Sequence, residues 1–387
     1  MCYQSGRFSL NWNSFSVHDL TLVISDLGVG GAQRVAATLA NEWARRNLRV
    51  CVITLSGPEC AFFKLDQRIT RWSLSALKDS HSLFSGLIAS LHRVCKLRRA
   101  LRASEAKVVL AFVGATNVLT ILAATGLRLR VVISERNDPR RQSLGWQWDI
   151  LRRLLYRRAD VVTANSRGAI EAMRSFVPST KLVFVPNPMS ELDKSQHPAI
   201  RPQTILSVGR LARQKAQDVL LDAYARIGHA HQWRLLIIGE GELDAELRAR
   251  AKTNGISDRV DWINRTAVPE QYYAGAGIFV LPSRFEGTPN SLLEAMNFGL
   301  PVVVSDACSG ALEYVENEIT GLVVPADDVD QLAWAMDRLI QDPQFRKYLG
   351  DAAKDRVGDY SSRSVLDVWE SALGFTATDG DLTDRNR

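Results

Sequence analysis

The strongest constraint on this chain is residues 279–304, FVLPSRFEGTPNSLLEAMNFGLPVVV, which read as strand, loop, helix, turn and strand. Phe279, Val280 and Leu281 form a short apolar run that Pro282 ends. Thr288 is placed as an N-cap, with Pro289 at the first helical position, where a missing N–H is no loss. Leu292, Leu293 and Met296 recur at helical spacing over Ser291–Asn297, and Gly299 suits the position just past the helix end. Leu300–Val304 then reads as a second buried strand. Glu286 is therefore expected in the loop at the carboxyl end of a strand, and Glu294 in the following helix. A helix that starts in such a loop presents backbone N–H groups and partial positive charge, which suit an anion such as a diphosphate.

The same alternation runs through the chain. Thr21–Ser25 and Arg49–Leu55 read as strands around a helix that ends near Arg46. Strands and helices follow at 108–113, 116–126, 130–134, 147–158, 160–164, 167–175 and 181–185. In the second half Ile205–Gly209, Trp233–Ile238 and Val260–Ile263 are strands, with helices near 216–225, 243–252, 330–341, 343–355 and 361–374. Alternation of this kind predicts parallel sheets with helices on both faces. At 387 residues two domains are expected rather than one core. The proline-rich, weakly apolar stretch 186–203 is the candidate linker between them.

Hydrophobic residues at 46% and charged residues at 23% are those of a soluble globular chain. The five cysteines are scattered, odd in number and never spaced C-x-x-C, which argues for a reducing compartment and against a disulfide framework or structural zinc. Residues 1–19 read as a loose extension without the basic start and apolar core of an export signal. Val108–Leu127 is uncharged for twenty residues, but its central Gly114, Thr116, Asn117 and Thr120 favour strand, turn and helix over a membrane span. Charge is uneven: residues 1–193 carry +13 and the remainder −7, which together make the chain's +6. Two stretches, 83–101 and 146–158, are amphipathic and basic, and such helices can lie on an anionic membrane surface. No nucleic-acid-binding module is recognisable, so nucleic acid is not an expected partner.

Three further clusters sit at strand ends. Gly28, Gly30 and Gly31 follow the first strand and allow close approach of backbone to an anion. Gln33 stands where a dinucleotide fingerprint needs its third glycine, which disfavours a NAD enzyme. Ser134-Glu135-Arg136-Asn137-Asp138-Pro139 opens after the strand at 130–134. Arg210 and Lys215 follow the strand at 205–209 and offer two fixed cations for a departing diphosphate. Cys308-Ser309-Gly310-Ala311 is one more glycine-containing turn, and Asp379-Gly-Asp381 is read as a coincidental D-x-D in a polar tail.

Glu286 and Glu294 with their flanks resemble the E-x7-E motif of the retaining glycosyltransferases of family 4, and Arg210 with Lys215 resembles that family's GRL…K element. Residues 30–35, GGAQRV, resemble its N-terminal GGAERV, with Gln33 for the usual Glu. Ala216 replaces the glycine usual after the Lys, and the region of 134–139 lacks the histidine many members carry. The resemblance covers about 21–374 and is most specific in the second half. It implies an α/β, GT-B architecture: two doubly wound Rossmann-like domains facing a central cleft. Residues 20–190, with a returning helix at 361–374, would bind the acceptor, and residues 203–360 would bind the nucleotide-sugar.

The residues the resemblance assigns follow from those motifs. Glu286, Arg210 and Lys215 are the expected catalytic groups. Gly30, Gly31, Arg265, Thr288, Pro289, Asn290, Ser291 and Glu294 would contact the donor, Glu294 through the ribose hydroxyls. Glu135, Arg136 and Asn137 would hold the acceptor. The implied donor is a UDP-hexosamine or UDP-hexose, and the implied acceptor a glycan or polyprenyl-diphosphate-linked saccharide. No metal and no cofactor are expected, an anionic membrane surface is a further candidate partner, and a cytoplasmic protein able to sit on the inner face of the plasma membrane is implied. A nucleotide-sugar epimerase of the same architecture, or a nucleotide-binding protein without turnover, remain open alternatives.

Overall fold

The structure, a computed structural model, describes residues 17–28, 30–76, 83–188, 203–227, 232–264, 270–358 and 362–375. The chain divides into two compact units, Met1–Ser134 with Leu144–Val162 and Phe176–Lys181, and Glu135–Ser143 with Thr163–Ser175 and Leu182–Arg387.

The first sheet is built from β1 (Leu20–Ile24), α1 (Gly31–Arg45), β2 (Val50–Thr54), β3 (Thr70–Ser73), α2 (Leu83–Ser104), β4 (Val108–Phe112), α3 (Gly114–Ala124), β5 (Arg130–Glu135), α4 (Trp146–Leu155), β6 (Val161–Ala164), α5 (Arg167–Met173) and β7 (Leu182–Phe184). Its order is β3-β2-β1-β4-β5-β6-β7. Strands β3 to β5 pair in parallel, with Leu20 opposite both Val50 and Val108. Central strands β1, β2 and β4 are buried at every residue, which is why they read as unbroken apolar runs. The uncharged stretch 108–127 resolves into β4 and the mostly buried α3. No helix among the described residues is long and apolar enough to cross a membrane.

The second sheet comes from β8 (Thr204–Val208), α6 (Gln217–Arg226), β9 (Arg234–Ile238), α7 (Asp244–Thr253), β10 (Val260–Ile263), α8 (Glu270–Gly275), β11 (Ile278–Leu281), α9 (Asn290–Asn297), β12 (Val302–Ser305), β13 (Leu322–Val324), α10 (Val329–Gln341), α11 (Pro343–Gly358) and α12 (Ser362–Leu373). Its order is β10-β9-β8-β11-β12-β13, parallel throughout. Successive strand residues feed opposite cores. Ile205, Ile278, Val280 and Val303 pack with α6, α7 and α10, whereas Leu206, Phe279, Leu281, Val302 and Val304 pack with α8, α9 and α11. The expected α/β fold of two parallel-sheet Rossmann-like domains is therefore observed.

Several boundaries differ from expectation. Strand β12 starts at Val302, not Leu300, because Leu300 closes the preceding helix and Pro301 has no N–H for the ladder. Gly299, at φ +72°, donates to Met296 O at 2.8 Å and Leu300 donates to Ala295 O at 3.0 Å, the double bond pattern of a Schellman terminus. Helix α9 starts at Asn290 with Pro289 as its N-cap and no capping side chain. Thr288 does not cap it: its hydroxyl donates instead to Asn165 O. Short β3, α8 and β13 were not anticipated. Arg265, most of the 186–203 linker, the extension before Val17 and the Asp379–Asp381 tail lie outside the described residues.

The buried thiols yield a direct test. Burial pushes Cys51 far above the usual thiol range and Cys308 up to about 12, the latter with help from the nearby Glu286 charge. A raised pKa leaves the thiol protonated and unreactive at pH 8. Iodoacetamide at pH 8 is expected to alkylate exposed Cys95 and to spare Cys51 and Cys308 until the chain is unfolded. Early carboxamidomethylation of Cys308, read by peptide mass spectrometry, would contradict this burial.

Candidate active site

In the second sheet the strand order reverses between β8 and β11, so the loops leaving those two strands flank a topological switch point. Open α/β sheets bind ligands there, because adjacent loops diverge to opposite faces. The loop after β8 carries Arg210 and Lys215, and the loop after β11 carries Glu286. The structure brings the last two together: Lys215 Nζ forms an ion pair with Glu286 Oε1, the two side chains being 17% and 10% exposed.

A clasp holds the two loops in register. Arg284 N donates to Gln214 O at 2.8 Å, and Gln214 Nε2 donates to Phe285 O at 2.9 Å. The Arg284 guanidinium donates to Arg213 O at 2.7 Å, to both Asp218 oxygens and to Asp327 Oδ1. Hydrogen bonding to the Asp218 carboxylate raises the Arg284 pKa, so the fork stays charged. Lys215 ends a 3-10 turn, Arg213–Lys215, and Ala216 follows at φ +52° to start α6. Gln214, Asp218 and Arg284 were not among the expected site residues. Arg284, two residues before Glu286, was the signal in sequence: a fixed cation inside the motif's own loop.

Helix α9 brings the remaining donor candidates. No side chain caps its first turn. Thr288, Pro289, Asn290 and Ser291 line its entrance, and Glu294, one turn on, is buried to 7% exposure. The entrance is anchored by a buried polar chain. Asn187 Nδ2 donates to Thr288 O at 3.0 Å and to Asn290 Oδ1 at 2.6 Å, and Arg136 Nη2 donates to Asn187 Oδ1. Asn187, expected in a linker, is 2% exposed.

Glycines make this closeness possible. A Cβ on Gly287 would lie 2.1 Å from Arg136 O, and one on Gly310 would lie 2.1 Å from Gly287 O. The turn 308–311 thus abuts the Glu286 loop, and Cys308 Sγ donates to Ser283 O at 3.1 Å.

The other candidates are placed as follows. Arg210 is exposed, forms no ion pair with a described residue, and its carbonyl accepts from Gln217 Nε2 at 3.0 Å. Glu135 and Arg136 are buried, at 2% and 6% exposure. Glu135 Oε1 accepts from Arg136 N at 3.0 Å, and desolvation pushes the Arg136 guanidinium down to about 10. Asn137 is half-buried and the most accessible of the three. Asp138 locks the end of the segment, accepting from Arg140 N at 2.9 Å and Arg140 Nη2 at 2.7 Å. In the first unit Gly30 and Gly31 begin α1 beside the switch point between β1 and β4. Asp26, missed in the sequence, organises that loop by accepting from Gly28 N at 2.8 Å and Gln33 Nε2 at 3.2 Å. Gln33 therefore has its own role where a dinucleotide motif would have glycine. Among the described residues no group of three or more His, Cys, Asp or Glu is placed to hold a metal ion.

Known proteins match this chain over most of its length. The family described as Glycosyl transferases group 1 matches residues 189–356, and the Glycosyl transferase 4-like domain matches residues 30–188. The chain is 28% identical over 353 residues to a Campylobacter jejuni GalNAc-alpha-(1->4)-GalNAc-alpha-(1->3)-diNAcBac-PP-undecaprenol alpha-1,4-N-acetyl-D-galactosaminyltransferase, covering 90% of this chain and 96% of that one. Among solved structures, sucrose-phosphate synthase from Thermosynechococcus elongatus superposes with a TM-score of 0.76 at 20% identity, covering 90% of this chain and 96% of that one. Anabaena HepE, solved in complex with UDP, gives 0.74 at 20% identity, covering 92% and 100%.

Proposed function

From the premise that this chain belongs to the family 4 glycosyltransferases of GT-B fold, acting in bacterial polysaccharide and lipid-linked glycan synthesis, we propose the reaction it performs. It moves a hexose or N-acetylhexosamine from a UDP-sugar to a hydroxyl of a glycan or polyprenyl-diphosphate-linked acceptor, with retention at the anomeric carbon. The observation that carries this reading is the pairing of Lys215 with Glu286 at the second sheet's switch point, beside the start of α9. UDP as the nucleotide is supported by the UDP in the structurally similar Anabaena protein, and the lipid-linked acceptor by the undecaprenol compound on which the Campylobacter relative acts.

The chemistry needs charge, and these residues supply it. As the bond from the anomeric carbon to the phosphate oxygen breaks, its electron pair moves to the β-phosphate. Lys215, Arg210 and the N-terminal amides of α9 are the groups proposed to meet that charge without a metal ion; each preorganised donor contributes about 3–4 kcal/mol to such a step. Arg265 is retained as a donor contact, with Gly30 and Gly31 as further amides for the diphosphate. Glu294 accepts the two ribose hydroxyls, and Glu286 faces the sugar. The acceptor hydroxyl is held by the 20–190 region, with Asn137 as its most accessible contact and Glu135 and Arg136 behind it, while residues 203–360 hold the donor.

The test is turnover with a panel of UDP- and GDP-sugars and polyprenyl-diphosphate-linked saccharides, with and without EDTA. UDP release is expected to require both a UDP-sugar and the lipid-linked acceptor and to survive EDTA. The anomeric coupling constant of the product is expected to match that of the donor. Conversion of one UDP-sugar into its epimer without UDP release would instead mean an epimerase. UDP binding without turnover on any acceptor would mean a nucleotide-binding protein.

A further inference from the structure

We propose that Asn187 is a positioning residue for the donor's diphosphate, acting on it through the first turn of α9. It rests on the proposed function, in which the start of α9 meets a nucleoside diphosphate, and it deepens that function by naming what holds the seat in place. The sequence prepares this side chain. Pro186 and Pro188 flank Asn187, and a residue before proline is confined to extended backbone, so little freedom is left to lose. Val185, Pro186, Asn187 and Pro188 are all buried. A buried carboxamide is costly unless it is bonded, and this one has three described partners.

Those partners admit one orientation. A carboxamide accepts at its oxygen and donates at its nitrogen. The Arg136 guanidinium is donor-only and takes Asn187 Oδ1. The Thr288 carbonyl is acceptor-only and takes Asn187 Nδ2 at 3.0 Å, while Asn290 Oδ1 takes the same nitrogen at 2.6 Å. Turned over, the amide would set N–H against guanidinium and oxygen against carbonyl. Desolvation lowers the Arg136 pKa to about 10, which still leaves it protonated at pH 8, so the first of these bonds is charge-assisted. Asn187 thus carries the position of the buried Arg136 segment into the Glu286 loop.

What it grips is the helix cap. Thr288 and Asn290 flank Pro289, the N-cap of α9, which has no N–H and no capping side chain. Leu292 and Leu293 donate to Pro289 O at 3.1 and 3.4 Å, so the place of Pro289 sets the first turn. Asn187 holds the residue on each side of it. An anion at a helix start is bound by backbone N–H groups whose direction depends on that turn. Glu294, proposed to take the ribose, lies one turn further on. Losing the Asn187 grip is therefore expected to be felt by the phosphates and not by the nucleoside.

The experiment is titration calorimetry of the full chain with UDP and with uridine, with GDP and guanosine beside them, and hydrogen exchange over residues 288–293. Asn187→Ala should bind the nucleoside diphosphate at least about tenfold more weakly, the loss of one or two net hydrogen bonds, while its affinity for the nucleoside stays within about twofold. Amides of the first turn of α9 should exchange faster in the same variant. Asn290→Ala removes one grip and leaves Asn187 in place, so it should weaken the diphosphate about threefold. Because Asn290 is held through Asn187, the double variant should bind no more weakly than Asn187→Ala. Equal losses for diphosphate and nucleoside would mean a general structural role and overturn the proposal. So would additive losses in the double variant, which would make Asn290 a direct contact with Asn187 a bystander. Should Asn187→Ala fail to fold, wild-type diphosphate affinity in Asn290→Ala would overturn it alone. A wild-type chain that binds neither diphosphate more tightly than its nucleoside would sink the proposed function, and the proposal with it; the variant results bear on the proposal alone.

Discussion

Lys215→Ala is expected to lower kcat/KM for the UDP-sugar by about 10²–10³-fold, with the greater part of the loss in kcat. The reason lies in what the ammonium touches. It pairs with Glu286 Oε1, in a place only 17% exposed, held by a turn that the Arg284 clasp fixes. A lysine positioned before the substrate arrives needs no reorganisation when charge appears on the leaving phosphate, and that is where preorganisation acts. The substitution also leaves a carboxylate with 10% exposed side chain without its cation, so a stability loss of about 2–3 kcal/mol should accompany it. Glu286→Gln in the Lys215→Ala background separates the two effects. The double variant should recover much of the melting temperature, because a neutral amide needs no counter-charge, yet regain no activity, because the Lys215 share of the leaving-group stabilisation is still missing. Turnover by Lys215→Ala within about threefold of wild type would remove Lys215 from the mechanism.

How much of this could be read from sequence depended on how local the cause was. The strand–loop–helix–strand at 279–304 was legible because strand burial, helix spacing and the Gly299 stop are all set by near neighbours. So was the placing of Lys215 and Glu286 in loops at the carboxyl ends of two strands, because parallel alternation sends both loops off the same edge of a sheet; that the two loops flank one switch point depends on strand order, which is not local. What failed was set by distant partners. Thr288 looks like an N-cap, but its hydroxyl bonds to Asn165, 123 residues earlier. Asn187 sits among prolines and reads as linker, but three hydrogen bonds make it a buried anchor. The burial of Arg136, against Asn187 and Gly287, is likewise something no local pattern announces. Strand β3 was invisible for another reason: four half-buried edge residues with an Arg and a Trp carry no period.

Gly287→Ala tests that tertiary arrangement with one methyl group. A Cβ there would lie 2.1 Å from Arg136 O and 3.1 Å from Asn165 Nδ2. The first contact is backbone, and Arg136 is itself buried and tied to Asn187, so it cannot step aside as a flexible side chain would. Gly310 closes the other side, since a Cβ on it would meet Gly287 O at 2.1 Å, so the loop is confined from both directions. The methyl group is therefore expected to cost about 1–3 kcal/mol in folding stability, as overpacking of a closed site does. Activity should fall further than stability. Glu286 precedes the glycine and Thr288 follows it, so any shift that relieves the overlap moves the carboxylate and the start of α9 together. A displacement of about 1 Å at such groups costs about 10²-fold in rate. The expected outcome is a lowered melting temperature, with kcat reduced about 10²-fold when measured well below that temperature. Ser291→Ala, at the same helix start but free of that backbone overlap, should leave the folding stability within about 1 kcal/mol of wild type. A Gly287→Ala protein that melts and turns over like wild type would mean that the Arg136 carbonyl does not lie against this loop, and the anchoring of α9 through Asn187 would have to be abandoned with it.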